Sequence, residues 1–166
     1  MITDHANDWI NRLGLTAHPE GGYFREIYRN NNLITAKELN QKYSGPRNLS
    51  TSIYFLLESR KVSKLHRLKS DEIWYFHYGS TIRVHIFDKM AYTAYTLGTS
   101  YKEDQLLQLI IPAGAVFGAE VLDEGGFTIV GCMVSPGFHF DDFELVGFNE
   151  MVAGYPGQEP VIRKLT

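Results

Sequence analysis

The chain has 166 residues, 44% of them hydrophobic, with sixteen basic and nineteen acidic side chains and a net charge of −3; a single domain spanning 1–166 is expected from that length. Neither charge sign gathers into a run, so there is no electrostatic footprint for a nucleic-acid polymer. The lone cysteine, Cys132, builds no disulfide framework, no stretch reaches about 18 apolar residues, and the N-terminus lacks the basic-then-apolar order of a signal peptide, so a cytoplasmic protein away from membranes is expected.

In chain order, Ala6, Trp9, Ile10 and Leu13 recur at helical spacing after a cap at Thr3 or Asp4, and Gly14 stands where a left-handed residue stops a helix. Thr35 and Glu38 form a capping-box pattern that predicts a second helix to about Tyr43, ended by Gly45-Pro46. The remainder reads as strands at 22–28, 51–57, 62–68, 72–78, 81–87, 92–97, 105–111, 116–122 and 127–135. Turn signals at Gly79-Ser80, 123–126 and Ser135-Pro-Gly137 separate them. Ten Tyr, ten Phe, two Trp and fifteen Gly suit short strands and tight turns, which predicts an antiparallel all-β sandwich or barrel. The tail from Tyr155, with Pro156, Gly157 and Pro160, reads as an irregular segment on the surface or on a partner subunit.

The chemistry concentrates in 66–79, HRLKSDEIWYFHYG. Strand alternation gives His66 and Leu68 one face, and Glu72, Trp74, Phe76 and Tyr78 another. A turn at 69–71 laying the two strands side by side would aim His66 and Glu72 into one cavity and His77 away from it. Such a mouth, lined by His, Glu and aromatics, has the shape of a small-molecule site. His66 is then a base, acid or ligand, or else a core histidine satisfied by a backbone carbonyl. A buried Glu72 needs a partner, from His66, a tyrosine hydroxyl such as Tyr54, or the bound molecule. Trp74, Phe76, Tyr78 and Phe117 are candidates for an aromatic lining that stacks on rings, or for plain core packing. Tyr23 and Arg25 could reach the mouth, where Arg would hold a carboxylate or phosphate. Asp141 and His139 could add polar groups at one end of the barrel. In His18-Pro-Glu-Gly-Gly22, paired glycines permit unusual backbone angles and close approach. Tyr75 and Phe55 have outward parity and call for a cover, which a second sheet or subunit would supply.

Two blocks resemble the motifs of the cupin superfamily: 66–79, in which that superfamily has His-x-His, a Glu and a Gly, and Pro112-Ala-Gly114, which precedes the position of a third His. Leu68 and Phe117 stand at two of the four usual metal-ligand positions. Together with 18–25, 50–57 and 134–145, these blocks resemble the DUF985 (cupin 5) family of RmlC-like cupins. The resemblance implies an all-β double-stranded β-helix (the cupin jelly roll) with a short N-terminal helix, commonly a homodimer, of mostly unassigned role. Kinship with dTDP-sugar epimerases, which use the jelly roll without a metal, is an analogy of fold.

The expected function is binding of a small polar ligand, a sugar derivative or nucleotide among them, with metal-independent epimerase or isomerase chemistry. His66 is the expected base, Glu72 its orienting group, and Tyr54 or Tyr78 the proton donor. No cofactor is expected. Two alternatives stand beside this reading: a metal-dependent enzyme holding a divalent ion through His66 and Glu72, and a non-catalytic ligand sensor.

Overall fold

The structure is a computed structural model in which residues 5–39, 42–89 and 91–166 are described. It opens with helix α1 (Ala6–Leu13), capped by His5, which exchanges bonds with Asp8, and closed by Gly14 in the left-handed conformation at φ 63°. Thr3 and Asp4, the expected caps, lie outside the described residues. Four strands follow: β1 (Thr16–Ala17), β2 (Tyr23–Arg29), β3 (Leu33–Ile34) and β4 (Arg47–Asn48). The helix expected from Thr35 is a turn in its described part. Thr35 and Glu38 do exchange capping bonds, but the apolar stripe that would dock a helix is too thin. Asn40 and Gln41, within that expected helix, lie outside the described residues.

The barrel strands are β5 (Thr51–Glu58), β6 (Val62–Leu68), β7 (Asp71–Gly79), β8 (Ile82–Asp88), β9 (Ala91–Leu97), β10 (Gln108–Ile111), β11 (Val116–Val121), β12 (Phe127–Ser135) and β13 (Phe143–Leu145). They form two antiparallel sheets, ordered β1-β2-β5-β12-β7-β10 and β13-β6-β11-β8-β9. Expected strand 105–111 is thus shortened, because Gln105 turns its side chain to the Ser100 amide and Leu106 makes only an isolated bridge.

One correction concerns the 69–71 connection, which was expected to pair its flanking strands. β6 and β7 instead belong to different sheets, so the chain crosses the barrel there. The inner faces of the two sheets meet in a core containing Phe55, Leu57 and Trp74 from one side and Val84, Phe117 and Ala119 from the other. His66 and Glu72 therefore face one another across the interior rather than lying on neighbouring strands.

The outer faces are covered by helices. α1 packs Trp9, Ile10 and Leu13 over Leu56, Phe127 and Ile129 of the first sheet. Helices α2 (Phe148–Gly154) and α3 (Glu159–Leu165) place Met151, Ile162 and Leu165 against Leu65, Phe87 and Val116 of the second. The tail is thus helical rather than irregular, since Pro160 falls in the first turn of α3, where its missing N–H costs nothing. Among the described residues no helix is long and apolar enough to cross a membrane.

Candidate functional site

At one end the sheets enclose a cavity of about 240 Å³. Phe24, Phe55, Trp74, Phe138, Phe140 and Phe143 form an aromatic collar, and Leu68 and Val134 add aliphatic wall. The floor is polar, made of His18, Glu20, His66 and Glu72. The loop after β12 carries Phe138, His139 and Phe140 to the rim, anchored by a buried ion pair in which Arg47 donates to both carboxylate oxygens of Asp142, at 2.5 and 2.8 Å.

Glu20 reaches the floor because the loop before β2 lies flat on the barrel. Gly21 adopts φ 111°, and a Cβ there would sit 2.2 Å from the Val62 carbonyl oxygen. With that close approach the Lys64 amide donates to the Glu20 carbonyl at 2.8 Å. The Glu20 side chain then accepts from the Ser63 hydroxyl at 2.8 Å and lies 3.1 Å from His66 Nε2.

The hydrogen bonds fix the proton positions. His66 Nδ1 is 2.6 Å from the Lys64 carbonyl oxygen, which can only accept, so Nδ1 carries hydrogen. Burial holds the imidazole below its usual pKa, against the opposing influence of Glu72 and the Lys64 carbonyl. Burial pushes Glu20 up to about 8 despite the Ser63 bond. Burial thus biases Glu20 toward its acid form beside His66 Nε2, 3.1 Å away, an arrangement in which the two side chains can pass one proton between them. Glu72 accepts from Trp74 Nε1 at 2.9 Å and from the Cys132 thiol. Burial raises it to about 7, His66 pulling down and Glu20 pushing up. His18 falls to about 4 through burial and its neighbour His66, and its Nδ1 accepts from the Glu20 amide at 3.3 Å.

Of the residues singled out in the sequence, His66, Glu72 and Trp74 line this cavity together. Phe117 stands behind it, its ring centroid 4.0 Å from that of His66. Phe76 packs into the core beyond it. Tyr54 and Tyr78 both lie on the outer face beneath α1. For Tyr54 the strand parity is the reverse of that expected, so Phe55, expected outside, points in. For Tyr78, a bulge opposite Ile129 and Val130 flips the end of β7 outward. Tyr23 is likewise outside, accepting from Lys61 Nζ at 2.7 Å, and Arg25 donates to the Leu13 carbonyl at the end of α1. Asp141 is exposed and accepts from Ser44, whereas His139 beside it does reach the rim. Glu20 and His18 were not singled out, although the paired glycines beside them signalled the close approach that brings them in.

A metal of the kind cupins hold does not fit these residues. Both His66 nitrogens are engaged, Glu72 is held by Trp74 and Cys132, and Leu68 and Phe117 supply apolar surface at the other two positions. No group of three or more His, Cys, Asp or Glu among the described residues could hold an ion. His77 and Glu120 do not complete a set: the one lies over Gly131 on the outer surface, the other pairs with His85 and Lys164 on the outer side of β11.

Comparison with known proteins agrees with this architecture. A family model described as Cupin_5, Cupin superfamily (DUF985), matches residues 7–146. The crystal structure of protein SO0799 from Shewanella oneidensis is 38% identical with a TM-score of 0.88, over 99% of this chain and 98% of that one. A hypothetical protein from Leishmania major is 34% identical with a TM-score of 0.88, over 98% of this chain and 99% of that one. The uncharacterized yeast protein YML079W (Saccharomyces cerevisiae) is 31% identical over 147 residues, 82% of this chain and 70% of that protein.

Proposed function

Because the chain belongs to the DUF985 family of the cupin superfamily, whose relatives here are uncharacterised, we propose from the cavity alone that it binds one ring-sized organic ligand and moves protons on it without a metal. The observation that carries this is the floor, where Glu72 and the Glu20–His66 pair sit beneath six aromatic side chains. Carboxyls held near neutrality by burial are poised to gain and lose protons at working pH.

Size narrows the ligand. An apolar cavity of about 150 Å³ holds benzene, so 240 Å³ holds one substituted ring, such as a sugar derivative. A nucleotide attached to that ring would extend past the rim. Glu72, in its ionised fraction, takes a proton from the ligand. The Glu20–His66 pair returns one, to another ligand atom in an isomerisation or to the opposite face of the same carbon in an epimerisation, and proton exchange with solvent resets the two groups. A cytoplasmic homodimer is part of the same proposal, supported by the free buried thiol of Cys132, which suits a reducing compartment, and by Ile27 and Tyr28, exposed on β2 where a second copy would cover them.

The test is solvent deuterium incorporation into a ligand panel that includes isomeric sugar nucleotides. Exchange with the native protein and its loss in Glu72→Gln is the expected result. Tight binding with no exchange would make the protein a sensor, and a stoichiometric ion lost in His66→Ala would restore the metal enzyme.

A further inference from the structure

The charge of the ligand follows from what surrounds it, and this step rests on the reading of the cavity as a ring-sized binding site. Two acidic side chains stand at the floor, Glu20 and Glu72, and among the described residues no lysine lines the cavity. The cation that does line it, Arg29, is already taken: its Nε and Nη2 donate to the two Glu26 carboxylate oxygens at 2.9 and 2.6 Å. Its remaining nitrogen donates to Asn48 Oδ1 at 2.8 Å, and the guanidinium also reaches the Phe138 carbonyl. That pair is neutral overall and sits at the rim. Neither floor imidazole supplies a positive charge: burial holds His66 below its usual pKa, and His18 Nδ1 accepts from a backbone amide. Among the described residues the hydrogen-bond donors to Glu72 are uncharged, the Trp74 indole and the Cys132 thiol.

A ligand anion entering here would face carboxyls at the floor, while at the rim Arg29 is already paired with Glu26 and His139 lies beside Asp141. A neutral ligand would gain hydrogen bonds alone. A cation would gain twice, from a carboxylate within contact and from the aromatic rings, whose negative faces attract ammonium groups most strongly where water is excluded. We propose that the cavity is a receptor for an organic cation: a single ring bearing an ammonium group, held in the collar of Phe55, Trp74, Phe138 and Phe140 with Glu72 as its counter-ion.

Three probes of one shape and three charges test this by calorimetry at pH 7.5: benzylamine, benzyl alcohol and benzoate. Benzylamine should bind at least about tenfold more tightly than benzyl alcohol, an advantage that a single well-placed charge contact supplies, and benzoate more weakly than both. Glu72→Gln should abolish the preference for the amine, bringing benzylamine down to the affinity of benzyl alcohol. Phe140→Ala, at a rim side chain 53% exposed and so not needed for folding, should weaken benzylamine several-fold. Equal affinity for the three probes, or a preference for benzoate, overturns the cation assignment and leaves the ring-sized cavity standing. Failure of all three to bind overturns both.

Discussion

Glu72 is a carboxyl kept where carboxylates are expensive. The native state holds its proton up to about pH 7, while the unfolded chain gives it up near 4.5. The sign follows: the contribution to stability is complete below pH 4.5 and is lost as pH rises through 7, because the unfolded state then binds fewer protons than the native one. Glu72→Gln removes this loss, since an amide accepts from Trp74 Nε1 without ionising. Urea melts of the native protein and the variant at pH 4 and pH 9 should therefore diverge, the variant gaining roughly 3 kcal/mol over that range. Parallel pH dependences would show that Glu72 is not the buried acid described. The expected gain in stability alongside lost proton exchange is the trade between fold and site that buried reactive groups impose.

At the scale of elements, the loop before β2 places the acid partner. Gly21 at φ 111° has the Val62 carbonyl where a Cβ would be, so Gly21→Ala must lift the loop and carry Glu20 away from His66. The expected cost is about 1–3 kcal/mol, measured by urea denaturation, with loss of the proton exchange that depends on the Glu20–His66 pair. A variant of native stability and activity would contradict the close approach. Apolar and aromatic runs bounded by clear turns, β6 to β8 and β12 above all, were legible in the sequence, and so was α1 with its Gly14 stop. Three features were not. The face of β5 could not be chosen because Tyr54 through Leu57 are apolar or aromatic on both sides, and the structure buries both. Tyr78 turned outward because a bulge adds a residue that no local signal marks. The Pro and Gly residues of 156–160 read as breakers, though Pro at a helix start is no breaker. His66 and Glu72 were found because their strand parity survived; Glu20 was missed because it lies outside any strand, in a loop whose course depends on the barrel it rests on.

Across the whole molecule, the helical covers and the cavity sit on opposite sides of the sheets. α3 buries Ile162 and Leu165 completely against the outer face of β6 and its neighbours, while the ligand space lies on the inner face at one end, reached past Phe138 and Phe140. His66 Nδ1 is fixed by a carbonyl of its own strand, so its placement depends on β6 holding its course rather than on any contact with α3. Stability and site should then separate on mutation. Ile162→Ala leaves a cavity between α3 and the second sheet and is expected to cost about 2–5 kcal/mol, the range for buried aliphatic truncations. Affinity for benzylamine should stay within about twofold of the native protein at temperatures where the variant remains folded, and saturating benzylamine should raise both melting temperatures by the same mass-action increment. Thermal melts with and without benzylamine measure the two quantities together. An affinity that fell in step with stability would instead mean that α3 holds the cavity open through the sheet, and that the end of the chain belongs to the site.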